Sequence, residues 1–133
     1  MSTSPVIAPV TVTLALVSGP GLPHGEHPDH RIEAQIVLDA GGRPDPAAWI
    51  ADPGPWTARR MAPPAPPQDG AVHHDPDEGW TLRFWPREAD RPEARPSRFD
   101  AGTDPLRPGE YVRVTDPDGS QWSYRVVGVT APR

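Results

Sequence analysis

The chain has 133 residues, with 21 Pro, 12 Gly, 5 Trp, no Cys and a formal net charge of −5. That is the size of one ordinary domain. It lacks an apolar run of the ~18 residues that a membrane-spanning helix needs, any thiol for a disulfide or a cysteine nucleophile, and the basic excess of a general nucleic-acid binder. Val, Leu, Ile and Phe make up only 17% of the chain, under the ~20% below which disorder sets in, but the charge is too modest for disorder and the Trp residues add buriable area, so a small core with long irregular connections is expected.

Residues 1–9 carry neither a basic nor an apolar leader segment, which predicts no signal peptide. Residues 10–17, VTVTLALV, alternate β-branched side chains and predict a strand. Residues 18–30, rich in Gly, Pro and His, predict an extended loop. Residues 31–39, RIEAQIVLD, predict a strand with Ile32, Ala34, Ile36 and Leu38 on one face. The short AAWIA at 47–51 is ambiguous between strand and helix, and only 44–51 leaves room for more than about two helical turns between prolines. Residues 63–78 run from PPAPP to HHDPDE and predict a second loop, with its prolines in extended polyproline II.

Residues 79–85, GWTLRFW, predict a strand with Trp80, Leu82 and Phe84 on one face, followed by a third long loop at 86–108. Residues 110–115 and 121–129 then flank Asp116-Pro117-Asp118-Gly119-Ser120. Pro presets φ and Gly supplies positive φ, so the pair reads as a β-hairpin turning at Gly119. Tyr111, Val112, Val114, Trp122, Tyr124, Val126 and Val127 are expected to build that hairpin and much of the core. Trp80 and Trp122 fall at core-like positions, whereas Trp49, Trp56 and Trp85 lie near Pro-rich turns as anchors or a stacking face for sugars or polyproline. The fold class expected is all-β: one domain over residues 1–133, a small barrel or sandwich with little helix and Pro-rich loops at 18–30, 63–78 and 86–108.

Chemistry is sparse. All 13 basic residues are Arg, and Lys and Asn are both absent, a pattern of GC-rich coding that also removes any Schiff-base or P-loop lysine. His24, His27 and His30 lie three apart, and His73 and His74 abut Asp75, Asp77 and Glu78. These five are the candidate metal ligands, should imidazoles from both clusters converge with a carboxylate. Pro23, Gly25 and Pro28 prevent the helix that would align the first three, so solvated loop histidines are the simpler reading. Asp116 to Ser120 fails the calcium-loop pattern, because the twelfth position is Val127. No nucleophile elbow, no GxGxxG and no marked carboxylate pair occurs. No catalytic residue and no cofactor is therefore expected.

One resemblance stands beside this reading. Pro108-Gly109-Glu110, the β run Tyr111 to Val114, Gly119, Tyr124 and the closing run Val126 to Val129 occur in the order of the final hairpin of tailed-bacteriophage head-closure (stopper) proteins. Pro9-Val10-Thr11-Val12 is similar to the opening strand of that family, and Glu110 stands where the family pattern has Asp. The resemblance implies a non-enzymatic virion subunit, assembled in the bacterial cytoplasm. It implies a ring of identical copies between portal, adaptor and tail, with DNA passing through without specific binding and no membrane contact. It also implies that loops 63–78 or 18–30 make inter-subunit or channel-facing contacts, ordering on assembly, and that an acidic lumen lets DNA slide. A capsid decoration or minor tail protein, and a free-standing β binding module with a His-rich metal site, are the alternatives.

Overall fold

Side chains that alternate between core and solvent along a strand ask for a sheet with one covered face. The chain meets this by curling one sheet onto itself. The structure is a computed structural model and describes residues 8–85, 96–100 and 104–131. Its strands are β1 (Val10–Ser18), β2 (His27–Ile36), β3 (Thr57–Ala62), β4 (Ala65–Asp75), β5 (Gly79–Phe84), β6 (Ser97–Phe99), β7 (Tyr111–Thr115) and β8 (Gln121–Thr130), with a helix α1 (Pro46–Ala51) between β2 and β3. Each strand pairs antiparallel with the next, and β8 returns to pair with β1, closing an up-and-down barrel. No edge in the ring is left for strand addition.

An eight-stranded barrel encloses a space that side chains just fill. Val12, Leu14 and Leu16 of β1, Ile32, Ala34 and Ile36 of β2, Ala58, Val72, Trp80, Leu82, Phe99, Val112, Val114, Tyr124 and Val126 are all buried within it. Trp56, next to β3, lies flat on Trp80 with ring centroids 5.1 Å apart. The all-β expectation holds, in its barrel form.

Several boundaries differ from expectation. Residues 63–78 are no loop: β3 and β4 form a hairpin, with a cis Pro63–Pro64 bond at its turn. Pro66 and Pro67 enter β4 because they fall in a register shift between Arg60↔Gln68 and Ala62↔Ala65, and because pairing with β5 begins only at Gly70↔Phe84. Their missing N–H groups therefore interrupt no ladder bond. TARRMA becomes β3 despite its two Arg, because Arg60 follows Ala58 at strand period. Residues 27–30 of the expected first loop belong to β2, and Leu38 lies beyond that strand, in a bridge to Pro44. AAWIA is helical. The Asp45 side chain accepts from the Ala47 and Ala48 amides at 3.0 and 3.4 Å, and Pro46 occupies the first helical position. In 86–108, a strand (β6) and the buried Leu106 occur, and residues 86–95 and 101–103 lie outside the described residues, as do residues 1–7.

The β7–β8 hairpin forms as expected, pairing Val114 with Trp122 and Thr115 with Gln121 around Gly119 at φ 89°. Its core is smaller than expected. Tyr111 is 63% and Val127 45% exposed, and Trp122 is only partly buried against the core. Tyr111 belongs to the outward set of β7. Val127 is the extra residue of a β-bulge, since the β8 register steps from Gly128↔Thr13 to Val126↔Leu14. A bulge re-aims its side chain away from the core.

Gly70 marks the tightest strand crossing: a Cβ there would run into the Arg83 carbonyl oxygen of β5. Replacing a strand glycine by alanine ordinarily gains stability. Gly70→Ala is expected to lose about 1–3 kcal/mol instead, the cost of overpacking, measurable by urea unfolding. An unchanged midpoint would show that β5 yields.

Candidate functional site

A filled barrel leaves its outer wall and its two ends for function. A larger, more polar hollow of about 620 Å³ is lined by Glu78, Asp100, Asp104 and Arg113; the more apolar concavity lies on the wall formed by β2, β1, β8 and β7, and its shape follows from one irregularity. Pairing of β2 with β1 steps from Arg31↔Ala15 to His27↔Leu16, so residues 28–30 are looped out with no partner on β1. Pro28, which has no N–H to offer, suits that position. The connection before it folds back on the barrel: the Gly25 amide donates to the Val17 carbonyl at 2.9 Å, and Leu22 closes a turn onto Gly19 at 3.0 Å. Gly19 has no room for a Cβ, because the Trp122 ring lies against it. His27 Nε2 bonds the Pro23 carbonyl at 2.8 Å, holding the connection upright.

The result is a groove of about 370 Å³ between this connection and the wall. Its floor is Thr13, Ala15 and Val17, and Tyr111 and Val127 close one side. Ala15 pairs with Arg31 on β2 and with Arg125 on β8, and Arg125 pairs with Tyr111 on β7. One row across four strands therefore reads Arg31, Ala15, Arg125, Tyr111. The two guanidinium-bearing positions stand two strand spacings apart, roughly 10 Å, with the smallest side chain of the row between them. Glu26 reaches Arg125 Nη2 at 3.5 Å and is itself 84% exposed. Arg31 has no acidic partner among the described residues. Of the expected site residues, His24, His27, Tyr111 and Val127 meet here. Arg31, Ala15 and Arg125 went unnoticed in the sequence, since facing across strands requires the register, which no local pattern encodes.

A second polar cluster fills one end of the barrel. Arg60 of β3 points inward and is 12% exposed. It donates to both carboxylate oxygens of Asp116, at 3.0 and 3.3 Å, and Ser97 Oγ donates to the same carboxylate at 2.7 Å. The guanidinium lies between the Phe84 and Trp122 rings, 5.7 and 5.3 Å from their centroids. Burial raises the pKa of Tyr124, with Arg60 opposing, so its phenol stays protonated. The cluster ties β3, β6, β7, β8 and the hairpin turn together; the bidentate pair is enclosed and both Asp116 oxygens accept from Arg60, which marks it as structural.

The remaining histidines have a packing role. Trp49 of α1 donates Nε1–H to the Val72 carbonyl at 3.0 Å and lies edge-on to His73, ring centroids 4.6 Å apart. His74 contacts the Trp80 ring at 4.7 Å. Burial, aided by Arg83, lowers the His73 pKa, and Asp75 opposes the shift. Asp75 accepts from the Asp77 and Glu78 amides at 2.7 and 3.1 Å, and those bonds hold its carboxyl below the usual range. Asp75 thus shapes the β4–β5 turn. His30 faces His27 at 6.3 Å between centroids, away from His73 and His74. Among the described residues, no group of three or more His, Asp or Glu is placed to hold a metal ion.

No protein-family model matches this chain, and neither a curated protein nor a solved structure does.

Two outcomes follow from the geometry. Asp116→Ala leaves Arg60 charged and enclosed, and is expected to cost about 3 kcal/mol; the double change Arg60→Met, Asp116→Leu is expected to recover most of it, as calorimetric melting would show. A His whose folded pKa lies below its unfolded value contributes stability above pH ~6.5, and loses it as pH falls through the lowered folded value. Acidification from pH 7.5 to 5 is thus expected to lower the melting temperature less in His73→Gln than in the parent chain.

Proposed function

We propose that this chain is a non-enzymatic structural protein acting through its outer wall, in the first place a subunit of the head-closure (stopper) ring of a tailed bacteriophage. The observation that carries this reading is the exposure of Tyr111 and Val127 on one wall of a barrel whose interior is filled. Large apolar side chains gathered outside a packed core serve contacts with another molecule. The hairpin that bears the family resemblance supports it, since it supplies both residues. On this reading the partners are copies of the same chain and the neighbouring portal, adaptor and tail proteins of the virion. DNA passes nearby without specific binding. On this reading the contacts come from the wall together with residues 24–28 of the 18–30 connection, which line its groove.

A second reading, a free-standing β binding module, is favoured by one observation: the groove, of about 370 Å³, has the size of a small-ligand site. Light scattering separates the two. The ring reading expects a mass several times 14.4 kDa, reduced to the monomer by Tyr111→Glu together with Val127→Glu while the circular dichroism melt persists. A 14.4 kDa monomer at every concentration, with amides of residues 19–26 protected from hydrogen exchange, overturns the ring and leaves the binding module.

A further inference from the structure

We infer that the groove on the β2–β1–β8–β7 wall is a binding site for a small amphipathic organic anion, a carboxylate on an apolar body. The inference deepens the second reading above, and rests on it. Four features of the groove converge on that chemistry.

First, the register sets an arginine on either side of one small residue. Arg31 and Arg125 both pair with Ala15, and a carboxylate seated over Ala15 faces a guanidinium on either side. Arginine offers paired N–H donors matched to a carboxylate's two oxygens. Second, the position is already addressed by a carboxylate. Glu26 approaches Arg125 at 3.5 Å, but at 84% exposure such a pair is worth little, so an incoming carboxylate replaces it at small cost. Third, most of the remaining surface is apolar or aromatic: Val17, Val127 and Tyr111 surround the Ala15 floor, with Thr13, His24 and His27 as the other polar groups of the lining. A bare inorganic anion leaves that surface in water; an aliphatic or aryl body covers it. Fourth, the volume of about 370 Å³ falls in the roughly 300–1,000 Å³ range of small-ligand sites, and suits a compact ligand. The sheet supplies pre-organisation, since the arginines project from paired strands of a closed barrel rather than from a loop.

The probe is 4-phenylbutyrate, titrated into the full chain by calorimetry, with 4-phenyl-1-butanol for the body without charge and glutarate for charge without an aryl group. Phenylbutyrate is expected to bind, with both controls at least ten-fold weaker. Arg31→Gln and Arg125→Gln are each expected to weaken it ten-fold or more, the loss of one charge-assisted pair. Glu26→Gln is expected to tighten it several-fold by removing the competing carboxylate, an effect that a merely structural role for Glu26 does not produce. If the arginine variants unfold, Ala15→Leu, which fills the floor without altering charge, is expected to abolish binding alone. Equal binding of the alcohol, equal binding of glutarate, or parental affinity in Arg31→Gln and Arg125→Gln overturns the inference. So does a concentration-dependent rise in mass that the same arginine changes abolish, because the groove is then filled by another copy of the chain. A monomer that binds no probe overturns this inference and leaves the binding-module reading standing.

Discussion

Pairing of β8 with β1 is the constraint on which the rest depends. It joins residues more than a hundred positions apart and turns a meander of short strands into a ring without edges. A chain with only 17% Val, Leu, Ile and Phe has too little apolar surface to cover both faces of an open sheet. Closed, it needs to fill only one narrow interior. Fifteen or so inward side chains do that, three of them aromatic, on β5, β6 and β8. The closure is imperfect in a useful way: bulges in the β1–β8 ladder take up the mismatch between strand lengths, and one of them sets Val127 outside.

One end of the barrel is shut by charge. Arg60 enters where a hydrophobe would serve as well for packing, and Asp116, Ser97 and two aromatic rings answer it. Buried pairs of this kind seldom add net stability, because desolvation offsets attraction. What this one adds is definition. Asp116 is the residue at which the β7–β8 hairpin turns, so the ion pair fixes that turn to β3 across the interior. The short β6, with three residues, is held by the same carboxylate through Ser97.

Rigidity inside shifts function outward. The wall of β2, β1, β8 and β7 combines a looped-out segment, a bulge and two arginines around a small residue. The first two are irregularities of pairing, and together the three make a groove that couples apolar surface to positive charge on a chain whose net charge is negative. The ring reading and the ligand reading both use this wall, and they differ in whether its occupant is another copy or a small molecule.

The strands at 10–17, 79–85 and 110–129 were legible because period-two alternation and the Asp-Pro-Asp-Gly turn are local signals. Proline misled at 63–78: its lost donor forbids a central strand, and only the tertiary pairing showed that Pro66 and Pro67 sit where no ladder bond is needed. The absence of a thiol, a lysine or a catalytic motif was likewise written in the residues. The five histidines were visible as clusters, yet their surroundings were not; Trp49 and Trp80 claim His73 and His74 through contacts that the helix α1 and the β4–β5 ladder create. Sequence alone determined the strand-rich class and the hairpin, because alternation and turn chemistry act over a few residues. The closed barrel, the buried Arg60–Asp116 pair and the row from Arg31 to Tyr111 were decided only in three dimensions, because each depends on register between strands distant in the chain.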